Sequence, residues 1–303
     1  MATKKKAPTT VKEAPFLITV LRRWLPTILL VCFFLFSVLA AGYVIFFQTV
    51  LAQGLEDRVA YAALEETYPV AIPELKKKTA VDDSGTPLIA IIIDDMGYAD
   101  RLGRQLLSLE LELSFSFLPF APFTQELDEI AYKAGRTILL HLPLQPRDNN
   151  WNPGPGALSI SENKDRLREL FERNLYSVPH ATGVNNHMGS IYTENAELMK
   201  KLLAIIKDKA LFFVDSFTTA KSVGMRQATM AGVKTARRHV FLDNIATEGD
   251  VCDQLGKLVE IAEREGGAIG IAHPNQATFM ALSSCMDQFS SRVKLVSVTE
   301  LLH

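Results

Sequence analysis

Cysteine is scarce: only three occur in 303 residues, so neither a disulfide-dense scaffold nor a cysteine-based zinc module is available. No excess of positive charge exists, with 32 Lys and Arg against 34 Asp and Glu, which argues against a general nucleic-acid binder. No glycine-rich phosphate loop follows any apolar run, no repeat of solenoid length recurs, and no low-complexity tract is present. Disorder throughout is excluded as well, because 48% of the chain is hydrophobic and the net charge is only −2.

What charge there is lies unevenly. Before Trp24 stand Lys4, Lys5, Lys6, Lys12, Arg22 and Arg23 with the single acid Glu13, so residues 1–24 carry +5 and the remainder −7. The uncharged stretch Leu25–Phe47 (LPTILLVCFFLFSVLAAGYVIFF) then reads as a transmembrane helix. At ~1.5 Å per residue it can cross a hydrocarbon core of ~30 Å. The basic flank keeps residues 1–24 in the cytoplasm and sends the rest across the inner membrane, to the periplasmic or extracytoplasmic side. A signal peptide cleaved near Val50-Leu51-Ala52 is the rival reading; the length of the apolar run favours a retained single-pass anchor. Residues 48–87 form a connector. Gln53–Tyr68 continues as a helix, and Ala71–Pro87, rich in charge and breakers, is a solvated tether. Cys252 and Cys285 fall in the exported part, where they can pair or stay as buried thiols.

From Leu88 to His303 the pattern changes. Short apolar runs at 88–93, 113–118, 137–140, 182–184, 211–214, 240–242 and 268–272 alternate with amphipathic stretches such as 124–135, 162–176, 194–209 and 249–267. Strands separated by helices imply an α/β domain with parallel strands joined by crossovers. Seven units suit a distorted closed barrel, with an open doubly wound sheet as the alternative. The strand ends carry the chemistry. They read Asp94-Asp95, His141, Asn185-Asn186-His187, Asp215, Asp243-Asn244 and His273, and only the second run ends in an apolar residue, Phe120. In a β/α barrel these ends converge on one face. His180, His239 and His303 lie elsewhere and are read as structural or solvent-exposed.

Two His and one carboxylate make a common zinc set with one position left for water. His141, His187 and one of Asp94 and Asp95 can supply it, while the other Asp accepts a proton and His273 returns one to a leaving amine. Such a cation polarises a carbonyl and lowers the pKa of water towards ~7. Taken singly, each residue has a bland reading; an Asp pair before Met-Gly caps a helix, for instance. It is their joint position that points to metal-assisted hydrolysis.

The runs IAIIIDDMGY, LLHLPLQP, GVNNHMGS, FFVDSFT and IGIAHP, in this order, resemble the divergent polysaccharide deacetylase family, a branch of the NodB-like carbohydrate esterases. The resemblance covers Leu88 to His303. It implies a distorted (β/α)7 barrel, Asp94 as base, Asp95 and His141 as metal ligands and His273 as acid. Two features depart from the wider group. Its second metal His, four residues after the first, is here Gln145, with His187 as the replacement; and its Arg-x-Pro-Tyr element gives way to Asn185-Asn186-His187. Candidate substrate contacts are Asn186, Asp215 and Trp151, the last in the Pro/Gly/Asn-rich loop 146–157, where it can stack on a sugar or pin its own loop. The reading is a membrane-anchored deacetylase of an N-acetylated envelope or cell-wall polysaccharide, using a divalent metal, Zn²⁺ first. The alternative is a non-catalytic metal-containing domain that binds glycan or an envelope partner.

Overall fold

Leu88–Met96 starts the domain with nine residues, eight of them buried, and everything that positions the site is built around this strand. The computed structural model describes residues 24, 25, 27, 29–44 and 85–303. The chain divides into two units, Met1–Tyr61 and Ala62–His303. In the first, the described residues are helical, including all of 29–44. No helix among the described residues is long and apolar enough to cross a membrane. The rest of the expected span 25–47, and nearly all of the expected tether 48–87, lie outside the described residues.

The second unit holds one sheet. Its strands are β1 (Leu88–Met96), β2 (Ser114–Phe117), β3 (Thr137–Leu144), β4 (Gly183–Met188), β5 (Phe212–Asp215), β6 (Thr235–Arg237), β7 (Val240–Phe241), β8 (Gly267–Ala272) and β9 (Lys294–Leu295). They lie in the order β6-β5-β4-β3-β2-β1-β8-β7, with β9 beside β1, and every ladder is parallel. Each of the seven expected apolar runs contributes a strand. β6 and β9 are additional, and too short and polar to stand out in sequence.

Among the described residues no ladder joins β6 to β7. The chain instead crosses from one sheet edge to the other within two residues: Arg238 N donates to Asp215 O and His239 N donates to Ile269 O. The result is a curled parallel half-barrel whose two edges are linked by residues 238–239, where the sequence pattern suggested a closed barrel.

Alternation along the strands sorts the core into two layers. Ile89, Ile91 and Ile93 face outward and pack with helix residues such as Leu106, Leu127, Leu202 and Leu255. Leu88, Ala90 and Ile92 face inward with Leu139, Val214, Ala236, Ile269 and Ile271, closed below by Val298 and Leu301. The expected helices appear as Thr124–Lys133, Lys164–Ser177, Ala196–Asp208 and Glu248–Glu265. Asn163, Asn195 and Thr247 cap three of them, accepting from the backbone N–H three residues on. Cys252 and Cys285 are disulfide-bonded across 33 residues, tying Glu248–Glu265 to Gln276–Cys285. Closing a loop of that length restricts the unfolded chain by roughly 3–4 kcal/mol.

Candidate metal centre and catalytic site

Continue the inward-facing positions two residues beyond the apolar layer and polar residues take over. Ile92 leads to Asp94, Ser114 to Ser116, Leu139 to His141, Gly183 to Asn185 and His187, Val214 to Ser216, and Ile271 to His273. All lie at the C-terminal strand ends. Parity alone would turn Asp95 away from this set. A bulge prevents that. Ile93 pairs with Phe115 and Met96 with Phe117, so two residues of β1, Asp94 and Asp95, oppose Ser116 alone. Asp95 adopts φ 53°, a left-handed conformation uncommon outside glycine, and its carboxylate joins the inward cluster.

There it meets two imidazoles. Asp95 Oδ1 lies 3.0 Å from His187 Nδ1 and 3.1 Å from His141 Nε2, and the two ring nitrogens are 3.1 Å apart. Despite this crowding Asp95 Oδ1 is buried and has no hydrogen bond of acceptable geometry. The three ligand atoms thus lie mutually close, as donors to one ion would. A tetrahedral zinc ion with bonds of about 2.0–2.1 Å spaces its ligands by about 3.3 Å, so the triangle fits one face of such a site. Among the described residues this is the one set of three His, Cys, Asp or Glu side chains grouped for a metal ion. The electrostatics agree. Burial alone would raise the Asp95 carboxyl, yet His187 and His141 hold it well below the usual carboxylate range. Burial alone would lower His141, yet Asp94 and Asp95 raise it. The cluster favours positive charge.

Asn185, not singled out from the sequence as a site residue, organises the surroundings. Its Nδ2 donates to both oxygens of Asp94, at 2.8 and 3.0 Å, and to Ser216 Oγ at 3.1 Å. Its Oδ1 must then be an acceptor. Ser116 Oγ donates to it, and so does His141 Nδ1 at 2.9 Å. With Nδ1 protonated, His141 presents Nε2 to the cluster, the arrangement by which second-shell groups fix a metal-binding tautomer. Asn185 thus restrains Asp94 through hydrogen bonds from a neutral amide. Asp94 is buried, and burial raises its proton affinity above the ordinary value against the pull of His141, His273 and Asn185.

His273 stands on the other flank, its Nε2 3.8 Å from Asp95 Oδ2. Asp243 holds it: Oδ1 faces His273 Nδ1 at 3.1 Å, while Oδ2 accepts from His273 N, Asn275 Nδ2 and Thr278 Oγ1. Burial opposes the charged imidazole, but Asp243, assisted by Asp95 and Asp94, pushes its pKa up to about 10. The arrangement favours the protonated imidazole, with Nδ1 held by Asp243 and Nε2 on the side of Asp95.

The other candidates sit differently. Asn186 Oδ1 accepts from Ser216 N and its Nδ2 donates to Met188 O. Asp215 accepts from Phe217 N, Ser222 Oγ and Met225 N. Both side chains are engaged in internal hydrogen bonds and neither is grouped with the cluster. Trp151 is half-buried in its loop, where its backbone N–H donates to Asp148 O. Gln145 pins the far end of that loop, accepting from Ser159 Oγ and Ile160 N, and is not grouped with the cluster, whereas His187 is. His180 bonds Asp128 and stacks on Tyr132, apart from the cluster.

His239 is structural and gives a pH signature. Its Nδ1 accepts from Ile269 N at 3.0 Å, which requires an unprotonated nitrogen. Burial, with Arg237 and Arg238 nearby, lowers its pKa to about 4 against the pull of Glu265. The unfolded chain therefore takes up this proton first. Its contribution is complete above pH ~6.5 and is lost as the pH falls to ~4, a change on the order of 2–3 kcal/mol once partial exposure is allowed for. Urea unfolding at pH 7 and pH 4 should show that much less acid destabilisation in His239→Asn, which keeps an acceptor. Equal acid sensitivity would refute the assignment.

The profile of the divergent polysaccharide deacetylase family matches residues 91–302. An uncharacterized protein of Escherichia coli K12, YibQ, is 33% identical over 220 residues, covering 71% of this chain and 67% of its own length. An uncharacterized protein of Haemophilus influenzae is 32% identical over 219 residues, covering 70% and 76%. An uncharacterized protein of Agrobacterium tumefaciens C58, solved by crystallography, shares the fold with a TM-score of 0.68 at 23% identity, covering 80% of this chain and 94% of its own.

Proposed function

The chain belongs to the divergent polysaccharide deacetylase family, and on that premise we propose that it is a membrane-anchored, metal-dependent hydrolase removing N-acetyl groups from an envelope polysaccharide. One observation carries the reading: a buried carboxylate, Asp94, and an imidazole held by Asp243, His273, flank the Asp95, His141 and His187 cluster. His141 Nε2 lies 3.7 Å from Asp94 Oδ2, and Asp95 Oδ2 lies 3.8 Å from His273 Nε2. A domain that merely bound metal and glycan would need neither flank.

Asp95, His141 and His187 would hold the cation. When bound, a divalent ion of the Zn²⁺ type polarises the acetamido carbonyl and makes water acidic enough to react near neutral pH. Asp94 takes a proton from the attacking water; Asn185 keeps both its oxygens in place. The water oxygen bonds to the carbonyl carbon, the C–N bond breaks, and His273 Nε2 delivers a proton to the departing nitrogen. Acetate and a free amine result, with one water consumed. Asp243 holds the His273 tautomer and faces the charge that His273 carries before transfer. The Cys252–Cys285 disulfide supports an exported domain, since such bonds persist in oxidising compartments, and the apolar run 25–47 supports an inner-membrane anchor.

The direct test is acetate release from N-acetylglucosamine oligomers by the purified protein with Zn²⁺ or Co²⁺. Release should stop on chelation and return when metal is restored. Full metal loading with no release from any N-acetylated glycan would leave the binding-domain alternative.

A further inference from the structure

Among the described residues, five that are not glycine adopt positive φ: Asp95, Phe120, Met188, Ala210 and Phe217. Ala210 follows a helix. The other four sit at or just beyond the C-terminal ends of β1, β2, β4 and β5, on the face that carries the site. Backbone strain persists where the surrounding structure enforces it, and it clusters at functional sites. For Asp95 the return is visible, a carboxylate turned into the cluster. Phe120 has no such explanation within the fold. It is a bulky side chain at φ 59°, and it is still 42% exposed. It therefore bears two costs, a conformation that favours glycine and apolar surface left in water.

The surroundings enforce this placement. Leu118 N donates to Met96 O, fastening the segment before Phe120 to the end of β1, next to the Asp pair. On the other side the ring edge lies against Gly156 in the loop after β3, where an added Cβ would come within 2.9 Å of Phe120 Cε2. Gly156 itself has φ 82°, and its carbonyl accepts from Asn174 Nδ2 at 2.7 Å. A buried amide and a glycine thus support an aromatic ring that stays partly open to solvent, beyond the C-terminal end of β2 and so between the strands bearing Asp94, Asp95 and His141.

We propose that Phe120 is a substrate-positioning platform whose exposed ring stacks on the apolar face of a pyranose unit of the polysaccharide. This rests on the deacetylase reading, which supplies the sugar. C–H-rich sugar faces pack on aromatic rings, and a ring fixed by its backbone loses little freedom on binding. Phe120 touches substrate away from the reacting bond, so it governs affinity and register.

The test uses the full-length chain loaded with Zn²⁺ in an Asp94→Asn background, which prevents turnover. Binding of N-acetylglucosamine pentamer is measured by calorimetry, and stability by thermal melting. Phe120→Gly should bind about tenfold more weakly, about 1.4 kcal/mol, while melting at or above the parent temperature, because glycine relieves the strain. Phe120→Tyr should bind like the parent. Undiminished binding in Phe120→Gly overturns the platform alone. A large fall in its melting temperature overturns it too, since the ring would then be structural. No binding by the parent chain removes the sugar reading and the platform with it.

Discussion

His187→Ala should lower Zn²⁺ affinity by about 100-fold or more, because it removes one of only three protein ligands from a site of this type. The triangle of Asp95 Oδ1, His141 Nε2 and His187 Nδ1 has edges of 3.0–3.1 Å, and among the described residues no other His, Cys, Asp or Glu is grouped with these three for a metal ion. Gln145 is committed to Ser159 and Ile160. Titration of the apo protein against a chromophoric chelator measures the loss. Metal analysis should give about one ion per wild-type chain, as for a single site. Asn185→Ala should fall between wild type and His187→Ala, about 10–100-fold weaker, as for other second-shell partners. It leaves the three donors in place and removes the acceptor that fixes the His141 tautomer. His180→Ala serves as control, since His180 belongs to the separate Asp128 contact. Unchanged affinity in His187→Ala would sink the assignment of the centre. Equal loss in His180→Ala would mean that the effect is global unfolding.

Much of this site was legible because period-2 strands and convergent parallel ends are strong constraints. His141 and His273 continue the inward rows of Leu139 and Ile271, so their meeting follows once the strands are recognised. The same parity bears on two other expectations. Asn185 and His187 share a face and Asn186 must take the other; Ser216 extends the row of Val214, which leaves Asp215 on the helix side. The hydrogen bonds of Asn186 and Asp215 follow from that. Parity fails at Asp94-Asp95, where the bulge turns both carboxylates inward, and nothing in the local sequence announces a bulge. Asp243 was visible as a polar strand end. Its hold on His273 was not, since it depends on β7 lying beside β8 and on Asn275 and Thr278 in the next helix turn. The break in the barrel was hidden for the same kind of reason. β6 and β7 are so short that no hydrophobic pattern marks where one pairing ends and the next begins.

Asp94→Asn should reduce kcat for acetate release by about 10²–10⁴-fold, the usual worth of a positioned general base. KM and Zn²⁺ affinity should be nearly unchanged. The expectation follows from what the substitution leaves alone. Asn is nearly isosteric, and its carbonyl oxygen can still accept from Asn185 Nδ2, which now bonds both Asp94 oxygens. Asp95, His141 and His187 remain, so the cation has its donors. What disappears is the ability to accept a proton from water, because an amide nitrogen has no available lone pair. His273→Gln should reduce kcat within the same range by a different route: its amide cannot deliver a proton to the departing nitrogen, although metal and base stay in place. Removing both should cost less than the product of the single losses, because the two groups act within one sequence of proton transfers. If Asp94→Asn kept full activity with metal bound, the base would have to be sought elsewhere. If it lost the metal instead, Asp94 would be a ligand, and the roles assigned within the Asp pair would have to be exchanged.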